Sequence, residues 1–365
     1  MTAMEKKSKY SVLIDLDRLK DPYNGLGQVA LNLAAELGRI HDDELEFTLL
    51  VPPEFAGKFG NQVNYEVISA KRRLFPFLCP GYDLWYTIHQ DSWFFPSTRK
   101  TPYILTINDL NFLEEKKGIH LWYRINRLQT KVRHATVIIT ISKFTESVVR
   151  GNLKVGNTPV KVIYCGVSVP EFNNVSRPDY VPEGDILFNV GVVSPKKNLA
   201  VLIEFMKELP EKYVLVIAGN KCGEYAVNIE KRIRELGLER RIVLPGLISD
   251  EDKFWLYSHC KAVVFPSKRE GMGFPPVEAM RFGKPVFAST FSSIPEVSED
   301  KAYYWEKMDP RNMAEFFLEK IQEFDNDPSR PEILRKHSMK FTWENSTAEL
   351  IRLFKEVLDN LLPPA

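Results

Sequence analysis

Cysteine is scarce in this sequence, and its four copies, Cys79, Cys165, Cys222 and Cys260, lie far apart with no CxxC pair among them. Such spacing argues against a disulfide framework or a structural zinc site and suits a reducing compartment. Long hydrophobic runs are missing as well. No stretch approaches the roughly 18 apolar residues of a membrane-spanning helix, and the start, MTAMEKKSKYSVLIDLD, has an apolar segment too brief for a signal-peptide core. A cytoplasmic location is therefore expected. An excess of one charge is absent too: 49 basic residues face 48 acidic ones, for a formal net charge of +1. A balance this close gives no whole-molecule pull toward nucleic acid, which is not an expected partner. Tandem repeats and low-complexity tracts are likewise missing. What remains is a 365-residue chain with 44% hydrophobic content, enough for two domains that each bury a core.

Short β-branched runs alternate with helical patterns along the chain. They are Tyr10 to Leu16, Phe47 to Val51, Tyr103 to Ile107, Val137 to Ile141 and Val160 to Ile163, then Ile186 to Val190, Tyr213 to Ala218, Ile242 to Leu244, Ala262 to Phe265 and Pro285 to Ala288. Strands this apolar, separated by helices, imply parallel sheets covered on both faces. The fold class is α/β, with two Rossmann-like doubly wound domains facing a cleft. Between the strand groups lies SVPEFNNVSRPDYVPEG, with three prolines and little periodicity, which reads as a linker. The expected layout is a first domain over 1–170, a linker over 171–184, a second domain over 185–340 and a terminal helix over 341–365 that can pack on either domain. Doubly wound sheets bind ligands at the carboxyl ends of their strands, so the cleft is the expected site.

Within that layout, KREGMGFPPVEAM places Glu270 and Glu278 with seven residues between them, after the strand ending at Phe265. Pro275 and Pro276 suit the first turn of a helix, since proline has no amide hydrogen to leave unpaired there. Glu270 then falls in a loop and Glu278 in the first helical turn. Gly271 and Gly273 allow backbone to approach a ligand, and the free amides of a helix start favour an anion. Each glutamate alone reads equally as a solvated residue or a partner of the helix dipole, and the pair could serve a glycosidase. A glycosidase, however, has no need of an anion site. In GVVSPKKN, Lys196 and Lys197 follow another strand, where a fixed ammonium could stabilise negative charge on a ligand.

Near the amino end, GLGQVA fits the dinucleotide fingerprint G-x-G-x-x-A, but residues 17–23 separate it from its strand whereas the dehydrogenase turn is tight. Gly25 and Gly27 are instead expected to form a flexible lip that lets backbone approach a ligand. Asp15 and Asp17 spell D-L-D, a metal-binding pattern elsewhere, yet at the end of a first strand they read as loop and cap residues. No metal is expected. The helix through Leu121 to His134 carries Arg124, Arg127 and Lys131 beside an apolar stripe of Leu121, Ile125, Leu128 and Val132. That reads as a solvated edge, although a basic stripe next to apolar residues can also meet anionic lipid. His89, in YTIHQD, reads as a packed residue with a supporting catalytic role as the alternative.

These pieces, with NGLGQVALNL, TINDLNFL, VIITISKFTESVV, VIYCGV, LFNVGVVSPKKNLAVLIEF, VLPGLISDEDKFWLY and FTWENSTAELIRLF, stand in an order that resembles the retaining GT-B glycosyltransferases of the "glycosyl transferases group 1" family. The resemblance spans nearly the whole chain and includes mannosyl- and glucosyltransferases of polysaccharide assembly. It implies that Glu270 meets the donor sugar, Glu278 the ribose, Lys197 the diphosphate, the backbone of Gly271, Met272, Gly273 and Phe274 the hexose, and Leu247 the base. It also implies catalytic positions at Asn108 and Asp109, where the family commonly has histidine followed by aspartate. Asparagine cannot shuttle a proton near neutral pH, while a front-side mechanism in which the departing phosphate takes the acceptor proton has less need of a base. Where the family often has arginine after the glycine, this chain has Val192, with Lys196 as a substitute.

The function expected is thus transfer of a mannose- or glucose-type hexose from a nucleoside diphosphate sugar to a glycan or lipid-linked sugar. No cofactor beyond that donor is implied, and the contact with a membrane would be peripheral, at its inner face. Rival readings are a sugar-nucleotide-binding protein with little turnover, motivated by Asn108 and Val192, and a sugar-nucleotide epimerase.

Overall fold

The computed structural model describes residues 9–22, 24–69, 81–96, 98–169, 171–173, 175–221 and 223–360. These residues fall into two compact units: those up to Gly166 together with those from Trp343 onward, and Val167–Thr342. In the first unit the strands are β1 (Tyr10–Asp15), β2 (Leu45–Val51), β3 (Asn64–Val67), β4 (Leu84–Thr87), β5 (Tyr103–Ile107), β6 (Val137–Thr140) and β7 (Val160–Val162). In the second they are β8 (Asp185–Val190), β9 (Tyr213–Ala218), β10 (Ile242–Gly246), β11 (Ala262–Phe265), β12 (Val286–Ser289) and β13 (Tyr303–Trp305). Among the described residues the sheets run β3-β2-β1-β4-β5-β6-β7 and β10-β9-β8-β11-β12-β13. Every pairing is parallel. Each unit is therefore doubly wound, and its strand order reverses beside its first strand, between β1 and β4 or between β8 and β11.

Alternation of side chains along a strand explains why these runs are apolar throughout. In β8, Leu187 enters one core of the second unit while Ile186 and Phe188 enter the other. The same split holds in β11, where Ala262 and Val264 face the first core and Val263 and Phe265 the second. Both faces are buried, so no polar position is left to interrupt the run. Two of the edge strands lack this signature. β3, with its partly exposed NYEV, and the three-residue β13 were not evident in the sequence for that reason.

One expected boundary differs. Residues 171–184 are not a free linker but part of the second unit, where Val181 is buried and the Tyr180 hydroxyl donates to Asp252 Oδ2 at 3.0 Å. The Arg177 guanidinium also donates to the Val181 and Pro182 carbonyls, at 3.3 and 2.8 Å. Proline-rich sequence here makes a packed strap whose backbone is satisfied by an arginine. The terminal helix, Trp343–Asp359, returns to the first unit. Phe354 is fully buried with its ring 5.3 Å from that of Tyr86, and Lys355 pairs with Asp42 and Glu44 at 3.0 and 2.7 Å. No helix among the described residues is long and apolar enough to cross a membrane.

Candidate functional site

The reversal between β8 and β11 brings together two loops of the second unit that are far apart in sequence. From β8 the chain passes Gly191, whose φ of +145° is open to glycine and strained for other residues. A Cβ there would sit 3.1 Å from the Lys197 Cε, so the glycine also leaves room for the lysine to fold back. Pro195–Lys197 form one turn of 3-10 helix before the helix Leu199–Glu208. From β11 comes the loop carrying Glu270. The Lys197 ammonium donates to Glu270 Oε1 at 2.6 Å, with the two side chains only 12% and 14% exposed. Lys197 also lies 5.0 Å above the Phe265 ring. The loops are joined by backbone as well, since the Lys268 N–H donates to the Lys196 carbonyl at 2.8 Å. A third loop, after β12, fixes Glu270: its N–H donates to Ser292 Oγ at 2.9 Å, and the Ser293 hydroxyl donates to its carbonyl at 3.1 Å. Nothing in the sequence marks Ser292 and Ser293 for this role.

Glu278 stands in the helix Phe274–Arg281. It is the fifth residue of that helix, hence in the second turn and not the first as expected, because the helix begins at Phe274, ahead of both prolines. Its carboxylate is held from a neighbouring helix, Asp250–His259: the Tyr257 hydroxyl donates to Oε2 at 2.5 Å, and the Lys253 ammonium lies 3.7 Å from Oε1. Burial, reinforced by the Glu278 charge, pushes the Tyr257 phenol well above its ordinary pKa, so the tyrosine stays a donor. Met272 is buried, whereas Phe274 is only partly buried. Leu247, just beyond the end of β10, is 74% exposed and open to contact.

In the first unit Asn108 and Asp109 follow β5. Asn108 is buried, with its Nδ2 donating to the Ile88 carbonyl at 2.9 Å and its N–H donating to Gln90 Oε1 at 3.1 Å. It also borders a cavity of about 30 Å³ lined in part by Tyr86, Thr106, Cys165 and Trp343, large enough for a water molecule. Asp109 is half-buried and accepts the Asn111 N–H at Oδ1, 3.0 Å away. Gly25 and Gly27 do not form a flexible lip. They lie in the first turn of the helix Gly25–Leu37, capped by Asn24, whose Oδ1 accepts the Gly27 N–H at 2.8 Å. A Cβ on Gly27 would fall 2.0 Å from the Asp21 carbonyl oxygen, whereas one on Gly25 meets nothing within 4 Å. Gly27 is thus a packing residue.

Asp15 and Asp17 are not loop and cap residues but fully buried acids at the reversal between β1 and β4. Asp15 accepts from the Ser92 hydroxyl and, at 3.1 Å, from the Asp17 N–H. Burial, with the neighbouring Asp17 charge, lifts its carboxyl to about 8. Burial also works to raise Asp17, but the hydrogen bond and charge of His89, aided by Lys20 and Arg18, outweigh it and bring Asp17 down to about 2. His89 is fully buried, and burial lowers its pKa despite the Asp17 bond. Its Nδ1 accepts from the Asp91 N–H at 3.1 Å and faces the Arg18 guanidinium at 3.2 Å, so Nε2 carries the proton toward Asp17 Oδ1, 2.6 Å away. Both ring nitrogens are engaged and the side chain is buried, which is the packed state expected of His89.

The basic stripe also turns inward. Arg124 pairs with Asp91 at 2.6 Å, Arg127 donates to the Asp91 and Ser92 carbonyls, and Lys131, 1% exposed, donates to the Gln90 carbonyl at 2.8 Å and to that of Ser92. Periodicity alone could not find this, because a buried ammonium facing carbonyls has the same sequence spacing as a solvated one. Instead, the outward face of the helix Gly118–His134 presents Ile119, Trp122 and Tyr123. Among the described residues no group of three or more His, Cys, Asp or Glu is placed to hold a metal ion.

The family described as "Glycosyl transferases group 1" matches residues 176–341, a span that contains Lys197, Glu270 and Glu278. The chain is 30% identical to the serotype-specific mannosyltransferase WbdA of Escherichia coli over 188 residues, covering 48% of this chain and 22% of that protein. It is 24% identical to the O-antigen chain mannosyltransferase B of Escherichia coli, covering 94% of this chain and 99% of that one. Among solved structures it resembles Anabaena HepE in complex with UDP and glucose, with a TM-score of 0.70 at 18% identity, covering 95% of this chain and 100% of that one. The arrangement of elements is that of the GT-B fold.

Proposed function

We propose that this chain, in which residues 176–341 belong to the glycosyl transferases group 1 family, is a retaining, metal-independent hexosyltransferase of polysaccharide assembly. Its donor is a nucleoside diphosphate sugar of mannose or glucose type, and no cofactor takes part. The observation that carries the reading is the 2.6 Å contact of Lys197 with Glu270 at the reversal between β8 and β11. A lysine ammonium has three donors. One is committed to Glu270, which aims the group, and two are left for a diphosphate. As the bond between the anomeric carbon and the phosphate oxygen breaks, charge builds on the diphosphate and Lys197 offsets it in a site sheltered from water. The acceptor hydroxyl oxygen bonds the anomeric carbon on the same face and gives its proton to the departing phosphate.

Glu270 holds sugar hydroxyls with the oxygen not paired to Lys197, the backbone of residues 271–274 contacts the hexose, and Lys196 adds charge at the diphosphate. Glu278, steadied by Tyr257, holds the ribose, and Leu247 covers the base. Asn108 and Asp109 serve the acceptor side. The acceptor is a glycan or lipid-linked sugar, as suits a relative named as an O-antigen chain mannosyltransferase. Exposed Ile119, Trp122 and Tyr123, next to exposed Lys116 and Lys117, supply the peripheral contact with the inner face of a membrane. Release of nucleoside diphosphate from GDP-mannose and UDP-hexoses tests the assignment. Lys197→Ala and Glu270→Ala are expected to lower turnover by about 100-fold or more; wild-type turnover in both removes it. A second reading, donor binding with little turnover, is favoured by Asn108, whose amide is closed onto the Ile88 carbonyl. Calorimetric donor binding without transfer, with activity gained in Asn108→His, would support that one.

A further inference from the structure

One side chain ties the carboxyl ends of β4 and β5 together. Gln90 accepts the Asn108 N–H at Oε1, 3.1 Å away, and donates from Nε2 to the Asp109 carbonyl at 2.9 Å. Its amide thus bridges the backbone on either side of the Asn108–Asp109 dipeptide, and the residue is only 7% exposed. A carboxamide is the side-chain end group that offers an acceptor and a donor side by side without charge. A carboxylate in its place would set a negative oxygen against the Asp109 carbonyl.

Gln90 is itself braced from behind. The buried Lys131 ammonium donates to its carbonyl and to that of Ser92, while Asp17 holds His89, Arg124 holds Asp91 and Asp15 holds Ser92. Every residue from 89 to 92 is fastened by a charged or polar partner, at a reversal of strand order where doubly wound sheets place ligands. Burying an ammonium against carbonyls is unfavourable unless its hydrogen bonds are made; here they are made, so residues 90 and 92 are held firmly behind the Asn108–Asp109 dipeptide.

We infer that Gln90 is a positioning residue that sets the backbone of Asn108 and Asp109, with Lys131 fixing Gln90 in that role. This rests on the proposed placement of Asn108 and Asp109 on the acceptor side. Gln90→Leu removes both bonds. Gln90→Glu keeps the acceptor and regains a donor only when its carboxyl is protonated.

The test combines turnover of GDP-mannose and UDP-glucose, read as released nucleoside diphosphate, with hydrogen exchange at the Asn108 amide. Gln90→Leu is expected to lower kcat by about 10- to 100-fold with donor KM within about twofold, and to speed exchange at Asn108 by about tenfold or more while β8 and β11 amides are unchanged. Gln90→Glu is expected to lose kcat at pH 8 and regain it, relative to wild type, as pH falls toward 5. Wild-type kcat, pH profile and Asn108 exchange in the Gln90 variants would overturn the inference alone, provided Asp109→Ala and Asn108→Ala lower turnover. If those two alanine variants keep wild-type turnover, the acceptor-side placement and this inference fall together. Where neither donor is turned over, unchanged Asn108 exchange in Gln90→Leu is enough to overturn it, and faster exchange confined to that dipeptide supports it.

Discussion

Replacing Lys197 with methionine keeps the length of the side chain and removes the charge that Glu270 receives at 2.6 Å. At that separation two unit charges attract by about 6 kcal/mol for an effective dielectric of about 20. Desolvation offsets much of this, because the side chains are only 12% and 14% exposed. Breaking a fully buried pair costs about 3–5 kcal/mol, as it strands the remaining charge. For a pair that keeps some contact with solvent, about 2 kcal/mol is the reasonable figure. Glu270→Gln should cost somewhat less, about 1–2 kcal/mol, because its backbone remains tied to Ser292 and Ser293. The double variant Lys197→Met/Glu270→Gln carries neither stranded charge. Its loss should therefore fall below the sum of the single losses by about 2 kcal/mol, the coupling energy of the pair. Hydrogen exchange of the β8 and β11 amides at increasing urea reads the opening free energy of this sheet directly. Additive losses, with a coupling below about 0.5 kcal/mol, would refute the pairing and with it the claim that Glu270 aims the ammonium.

Two further outcomes follow from the first unit. Gly27→Ala should lose about 1–3 kcal/mol, since its methyl would meet the Asp21 carbonyl at 2.0 Å and backbone cannot rotate aside; Gly25→Ala, with open space around it, should be neutral to about 0.5 kcal/mol stabilising. Equal thermal midpoints for the two variants would contradict this account of the helix start. For Asp15, whose carboxyl is raised to about 8, the favourable burial of the neutral form is complete below the ordinary carboxylate range and is lost as pH rises through about 8. Asp15→Asn stays neutral throughout, so its midpoint should gain on wild type between about pH 4 and pH 8 and then level off. A difference that is flat with pH would show that Asp15 is ionised in the folded state.

How much of this was legible in the sequence depended on whether a feature is written in local pattern. β1, β9 and β11 were plain because parallel strands buried on both faces leave no polar gap. β3 was not, because its NYEV lies partly exposed at a sheet edge. Strand ends and neighbouring glycines pointed to Glu270 and to the pair Lys196 and Lys197, the family resemblance picked Lys197 of the two, and the reversal of strand order is what makes Lys197 and Glu270 touch. Ser292, Ser293, Tyr257 and Lys253 lie on other loops and helices and carry no local mark of their bonds to the two glutamates. Lys131 shows the limit most clearly. Its spacing matches that of Arg124 and Arg127, and only the tertiary fold decides that all three turn toward residues 90–92 instead of solvent. The same holds for Asp15 and Asp17, whose D-L-D spacing resembles a metal motif while their partners, Ser92 and His89, stand more than seventy residues away.

The account depends most directly on nucleoside diphosphate sugar binding at the Lys197, Glu270 and Glu278 positions. Isothermal titration of the full chain with GDP-mannose and UDP-glucose, in wild type, Lys197→Met and Glu278→Gln, measures this without requiring turnover. The prediction is saturable binding of at least one donor by wild type, weakened by about tenfold or more in each variant, the equivalent of about 1.4 kcal/mol. Wild-type affinity in both variants, with folding intact, would place the donor elsewhere and contradict the account.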